Sequence, residues 1–136
     1  MAHYALKTWW LLSAALLMGC AKQEAAPQES PQDIGARLYA QNCVPCHREN
    51  GLGVPSVYPS LQGSAVVNGD PVQLAQWVLE QKRPASIPAG RFSTKMLMFG
   101  WLKDPDAAAL LTYLRSHFGN SSAAVDAATI AQARSH

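Results

Sequence analysis

Charge of one sign is what these 136 residues most lack: 11 Lys and Arg stand against 9 Asp and Glu, for a net charge of +2. The basic residues form no run of five or more and no stripe interleaved with aromatics, which excludes nucleic acid as a partner. No alternating apolar pattern appears, so a sheet architecture is not expected, and no internal repeat points to a solenoid. No apolar run reaches the roughly 20 residues that a bilayer-spanning helix needs. Cysteine is scarce at three residues. The length suits one domain, and domains of this size often require a disulfide, a metal or a bound group to stay folded. Charged residues make up 15% and hydrophobic residues 49%. A chain wrapped around a large apolar group has that composition, and so do many ordinary domains.

The N-terminus carries Lys7, an apolar stretch from Trp9 to Met18, and then Gly19-Cys20. The stretch has the length of a signal-peptide core, so export is expected. Leu17-Met18-Gly19-Cys20 resembles a bacterial lipoprotein box, in which the cysteine is lipidated and becomes the new N-terminus. Multiple acyl chains on Cys20 would exceed the two signals that stable anchoring takes. Ala21 is compatible with sorting to an outer membrane. The other reading of Cys20 is an incidental thiol in an uncleaved anchor. The expected division is a lipoprotein-type signal peptide at 1–19, a flexible tether at 20–31, a folded domain at 32–120 and an extension at 121–136 with a short helix.

The tether is rich in Gln, Glu, Ala and Pro without apolar periodicity. Ser30-Pro31-Gln32-Asp33 then has the form of a helix start: a capping hydroxyl, a proline at the first helical position and a carboxylate three residues on. Ile34, Leu38 and Tyr39 share a face up to about Asn42. Gly51 to Gly69 is rich in Gly, Pro and Ser and reads as a loop that wraps a cofactor. Asp70-Pro71 starts a second helix through Leu74, Trp77, Val78 and Gln81 until Pro84 stops it. Another loop runs from Pro84 to Gly100. Asp104-Pro105-Asp106 opens the last long helix, with Leu110, Leu111, Leu114 and Phe118 at helical spacing and Gly119 as its stop. Asp126 caps a short helix through Arg134.

Within this all-α pattern lies Cys43-Val44-Pro45-Cys46-His47. Two thiols separated by two residues can form thioethers with the two vinyl groups of one haem, and the next histidine falls under the iron. A thioredoxin-type dithiol would want a βαβ setting, which is missing. A zinc site would need about four ligands, and outside the motif the folded part offers only His117 and His136, not paired. Both are expected to face solvent. For the sixth iron position, a thioether would raise the reduction potential relative to a second nitrogen. Met96 and Met98 are the methionines available.

From about Ile34 to Gly119 the chain resembles the class I cytochrome c family. The motif closes the first helix, as in that family, and Tyr58-Pro59-Ser60-Leu61-Gln62-Gly63 is similar to its Pro-x-Leu-x-Gly segment. The resemblance implies that the Pro59 carbonyl accepts a hydrogen bond from the His47 ring and that Leu61 packs on the haem. It also implies that Gly35 and Tyr39 cross Leu110 and Tyr113. Met96-Leu97-Met98-Phe99-Gly100-Trp101 matches a family segment reading Met-Pro-x-Phe-Gly-Trp, which selects Met96 as sixth ligand over Met98. Leu97 departs from the family's proline.

The expected fold is therefore the all-α cytochrome c fold, helices and loops wrapped around one covalent haem c. The expected function is one-electron transfer, not catalysis, between a periplasmic dehydrogenase and a downstream cytochrome or oxidase. The run from Gly53 through Asn120 to Val125-Asp126-Ala127-Ala128 looks like the haem domains of cytochrome subunits of quinoprotein alcohol dehydrogenases. Lys82, Arg83, Arg91 and Lys95 either keep their loop soluble or steer an acidic redox partner. The lipid anchor implies the periplasmic side of a bacterial membrane, and the soluble periplasm if that reading fails. The alternative function is a haem enzyme or gas binder with an open sixth position, for which Arg91 is the one distal candidate.

Overall fold

The computed structural model describes residues 29–87, 89–92 and 94–135. The expected signal segment, most of the tether, Cys20 and His136 lie outside the described residues. Among these described residues six helices follow in order: α1 Pro31–Asn42, α2 Val44–His47, α3 Ala65–Asn68, α4 Pro71–Glu80, α5 Asp104–Ser116 and α6 Ala127–Arg134. Among the described residues there is no strand, only an isolated bridge between Val54 and Tyr58.

Local chemistry explains most boundaries. Ser30 accepts from the Asp33 amide and donates to the Asp33 carboxylate at 2.6 Å. Asp70 accepts from the Gln73 amide at 2.9 Å, and Asp126 from the Thr129 amide at 2.8 Å. Each such cap contributes about 1 kcal/mol by satisfying a helix-end donor that would otherwise lack a partner.

Two boundaries differ from the sequence expectation. Helix α4 ends at Glu80 because Gln81 turns left-handed at φ 58, well before Pro84. Helix α5 ends at Ser116, so Phe118 is not part of it. Phe118 adopts φ 57 and sets its ring 4.9 Å from that of Tyr39. The same ring lies so close to Gly51 that a β-carbon there would approach it to 2.5 Å. Non-local packing therefore overrides the helical spacing. His117 does not simply face solvent: half-buried, it stacks on Tyr113 with ring centroids 3.8 Å apart.

The frame is the crossing of α1 on α5. A β-carbon on Gly35 would sit 2.4 Å from the Ala109 carbonyl oxygen, so only glycine permits the approach. Leu74, Leu79, Leu110, Leu111 and Ile130 are fully buried, each contributing about 1.5–3 kcal/mol of apolar transfer. Ile130 belongs to α6, which packs across α4 and α5 and so joins the core. The segment before it is stitched to α5: Thr112 donates to the Val125 carbonyl and accepts from its amide, and buried Arg115 donates to the Ala123, Val67 and Gly69 carbonyls. No helix among the described residues is long and apolar enough to cross a membrane.

Candidate haem site

Cys43 ends α1 and begins α2, so the motif occupies one tight helical turn in which the Cys46 and His47 amides both donate to the Cys43 carbonyl. Residues three and four apart share a helix face, so Cys43, Cys46 and His47 present their side chains together. Both thiols are free. Burial pushes the Cys43 thiol up to about 12, so it is protonated at neutral pH.

His47 is buried, and burial lowers its pKa against the opposing effect of a hydrogen bond to Pro59. The imidazole is therefore neutral. Its Nδ1 lies 3.0 Å from the Pro59 carbonyl oxygen. A carbonyl can only accept, so Nδ1 carries the proton and Nε2 keeps its lone pair. Two unpaired thiols beside one neutral imidazole with a fixed tautomer is the donor set that covalent haem requires. Among the described residues, no group of three or more His, Cys, Asp or Glu side chains forms a rival metal cluster.

The loop after His47 holds Pro59 in place. The Gly53 amide donates to the His47 carbonyl at 2.9 Å, and the Leu61 amide to Gly51 at 2.7 Å. Between them, Val54 and Tyr58 exchange a pair of backbone bonds. Tyr39 donates its hydroxyl to the Arg48 carbonyl, next to the motif. Leu61 is half-buried against the core.

The far end of this loop meets Asn120, a residue with no distinguishing sequence signal beyond following Gly119. The buried amide of Asn120 accepts from the Gly63 amide and from Asn68, and donates to the Leu61 and Leu114 carbonyls. All four of its hydrogen-bonding positions are used, which ties the Pro59 loop to α3 and the end of α5.

The two methionines part company. Met96 is half-buried and packs against the core, with its carbonyl accepting from the Gln81 side-chain amide. Met98 is 58% exposed and Leu97 71%. Phe99, 7% exposed, anchors the segment by donating its amide to the Val78 carbonyl. Of the four basic residues expected to steer a partner, Lys82 pairs with Glu80, Arg83 lies over Trp77 and Arg91 over Phe92, while Lys95 is exposed.

Residues 32–118 match the family model described as cytochrome c. The chain belongs to the cytochrome c family. Cytochrome c-552 of Thermus thermophilus is 28% identical over 95 residues, covering 66% of this chain and 72% of the relative. The cytochrome c subunit of the quinone alcohol dehydrogenase of Gluconobacter oxydans is 29% identical over 97 residues, 65% of this chain and 19% of the relative. The gluconate 2-dehydrogenase cytochrome c subunit of Pantoea cypripedii is 28% identical over 104 residues, 74% of this chain and 24% of the relative. This chain thus spans a quarter or less of either dehydrogenase subunit. As a cytochrome c it binds covalent haem c, and its class of function is electron transfer. The family match ends before α6 begins, so the C-terminal helix lies outside it.

Proposed function

We propose that this cytochrome c is a one-electron carrier in which Cys43 and Cys46 would hold the haem, and His47 and Met96 would ligate its iron. When bound, haem c supplies an iron centre that gains and loses a single electron. The protein's own residues do the rest. Pro59 holds the His47 ring in one orientation and raises its basicity through the Nδ1 proton, as partners behind a metal ligand do. Leu61, half-buried, would pack on the haem. Met96, on the inward side of a loop whose Leu97 and Met98 point outward, supplies the thioether.

The observation that carries this reading is the His47 to Pro59 hydrogen bond, since it fixes the tautomer that leaves Nε2 free for iron. The half-buried setting of Met96 supports the second ligand. On this reading Cys20 tethers the carrier to the periplasmic face of a bacterial membrane, the outer membrane favoured. There it passes electrons from a periplasmic dehydrogenase to a cytochrome or oxidase. The named relatives of Gluconobacter and Pantoea, which are cytochrome subunits of dehydrogenases, support a dehydrogenase as donor.

The test is to replace each methionine with alanine and record the sulfur-to-iron charge-transfer band near the red end of the spectrum, with and without CO on the reduced protein. Met96→Ala loses the band and gains a large CO shift, while Met98→Ala changes neither. A native protein that already lacks the band and shifts strongly with CO overturns the carrier reading in favour of an open sixth position.

A further inference from the structure

Arg134, the last residue of α6, places its guanidinium on three acceptors at once. Nε lies 2.8 Å from the Asp104 carboxylate, and the two terminal nitrogens donate to the Gly100 carbonyl at 3.0 Å and the Leu102 carbonyl at 2.5 Å. Asp104 begins α5, where the sequence leads one to expect it to open the helix, yet no side-chain cap is made there and its carboxylate faces Arg134 instead. Gly100 and Leu102 close the segment that starts at Met96. Ile130 and Ala133, fully buried, hold α6 against α4 and α5, and Gln76 donates to the Ala133 carbonyl.

Gly100 is exposed, so its carbonyl needs no protein partner to be satisfied, and water would serve. The ion pair is partly exposed too, and such pairs add little stability by charge alone. What the arrangement supplies is geometry. A planar guanidinium with a rigid fork of donors fixes two backbone carbonyls relative to the start of α5. Among the described residues, the other hydrogen bonds on this segment are Gln81 to Met96 and the Phe99 amide on Val78, both upstream of Gly100, and a local turn from Leu102 to Phe99.

From this we infer that α6 is a clasp added beyond the family core, with Arg134 as a positioning residue that holds the Met96 loop closed and so sets how readily methionine leaves the iron. The inference rests on Met96 as sixth ligand. An external ligand binds only to the fraction of molecules whose methionine has left, so its apparent affinity measures that fraction.

The experiment is imidazole titration of the oxidised holoprotein, followed by the charge-transfer band, beside global unfolding in guanidinium chloride. Arg134→Gln raises imidazole affinity about three- to five-fold, because the loop loses the donor fork that fixes its carbonyls while water takes over part of the hydrogen bonding. Asp104→Asn, which frees the guanidinium from its anchor, moves affinity the same way by less, and Arg134→Lys restores part of it. Ile130→Val, which thins the α6 packing without touching the loop, lowers global stability and leaves imidazole affinity unchanged. If Arg134→Gln and Asp104→Asn both leave imidazole affinity at the native value while Met96→Ala abolishes the band, the clasp is overturned and the ligand reading stands. If Met96→Ala keeps the band, the ligand reading fails first. Should Arg134→Gln not yield a folded holoprotein, Asp104→Asn carries the decision.

Discussion

On the proposed ligation, the loop from His47 to Gly63 and the loop from Pro84 to Leu102 face the same task, supporting one iron ligand each, and are built differently. The first is laced by its own backbone: Gly51 to Arg48, Gly53 to His47, Leu61 to Gly51, and Val54 with Tyr58. Its outside supports, Tyr39 and Asn120, come from α1 and from the turn after α5. Among its described residues the second has few backbone bonds of its own, and side chains tie it, Gln81 near Met96 and Arg134 at the far end. A loop that carries its own ladder fails as a unit. One held at its ends can open without unfolding the domain. Damage to the first loop should thus appear as lost stability, and damage to the second as easier ligand exchange.

The largest effect is expected at Gly53. It sits at φ 65, and a β-carbon there would lie 2.4 Å from the Tyr58 oxygen and 2.5 Å from the Pro59 oxygen. Gly53→Ala must displace the carbonyl that orients His47, costing about 3 kcal/mol or more from strain and overpacking together. Gly90, at φ 74 in the second loop, has nothing within 4 Å of the same position. Gly90→Ala meets only the left-handed penalty, about 1 kcal/mol, partly offset by a less flexible unfolded chain. Chemical denaturation of the two variants reads the contrast directly. Equal losses would mean that the loops are equally rigid.

Asn120→Ala comes next. It leaves the Leu61 and Leu114 carbonyls and the Gly63 amide without a partner, and should cost about 2–3 kcal/mol. The same denaturation series measures it. The Nδ1 proton resonance of His47 should move as well, since the Pro59 loop loses its far anchor, while imidazole affinity stays near native. A rise in imidazole affinity matching that of Arg134→Gln would erase the distinction between the loops.

Which of these supports were legible in advance follows from how far apart their parts lie in the chain. The caps at Ser30, Asp70 and Asp126 involve neighbours three residues away, and sequence spacing reveals them. The motif at Cys43 to His47 is as local, and Gly35 against α5 follows from a resemblance. Asn120 joins residues separated by more than fifty positions, and Arg134 reaches back about thirty. A buried Asn after Gly looks, in sequence, like any turn residue. The end of α5 departs from its sequence pattern for a related reason: Phe118 keeps helical spacing, but its place is decided by Gly51 and Tyr39, which only the folded chain brings near.

The smallest effect tests the first loop at its root. The Tyr39 hydroxyl donates to the Arg48 carbonyl beside His47, and burial holds the phenol well above its usual range. Tyr39→Phe removes one hydrogen bond whose acceptor belongs to the exposed Arg48, so about 1 kcal/mol is expected at neutral pH. The pH dependence has a definite sign. Below about pH 10 the phenol is protonated in both folded and unfolded chains, so its ionisation does not affect stability. Above that, the unfolded chain releases a proton that the fold retains, and stability falls as pH rises. Phenylalanine has no such proton. The cost of the substitution should shrink, and then reverse, as unfolding is followed from neutral pH into the alkaline range. A cost that stays constant with pH would mean that Tyr39 ionises as freely in the fold as in the unfolded chain, and that the root of the first loop is no more closed to water than the second.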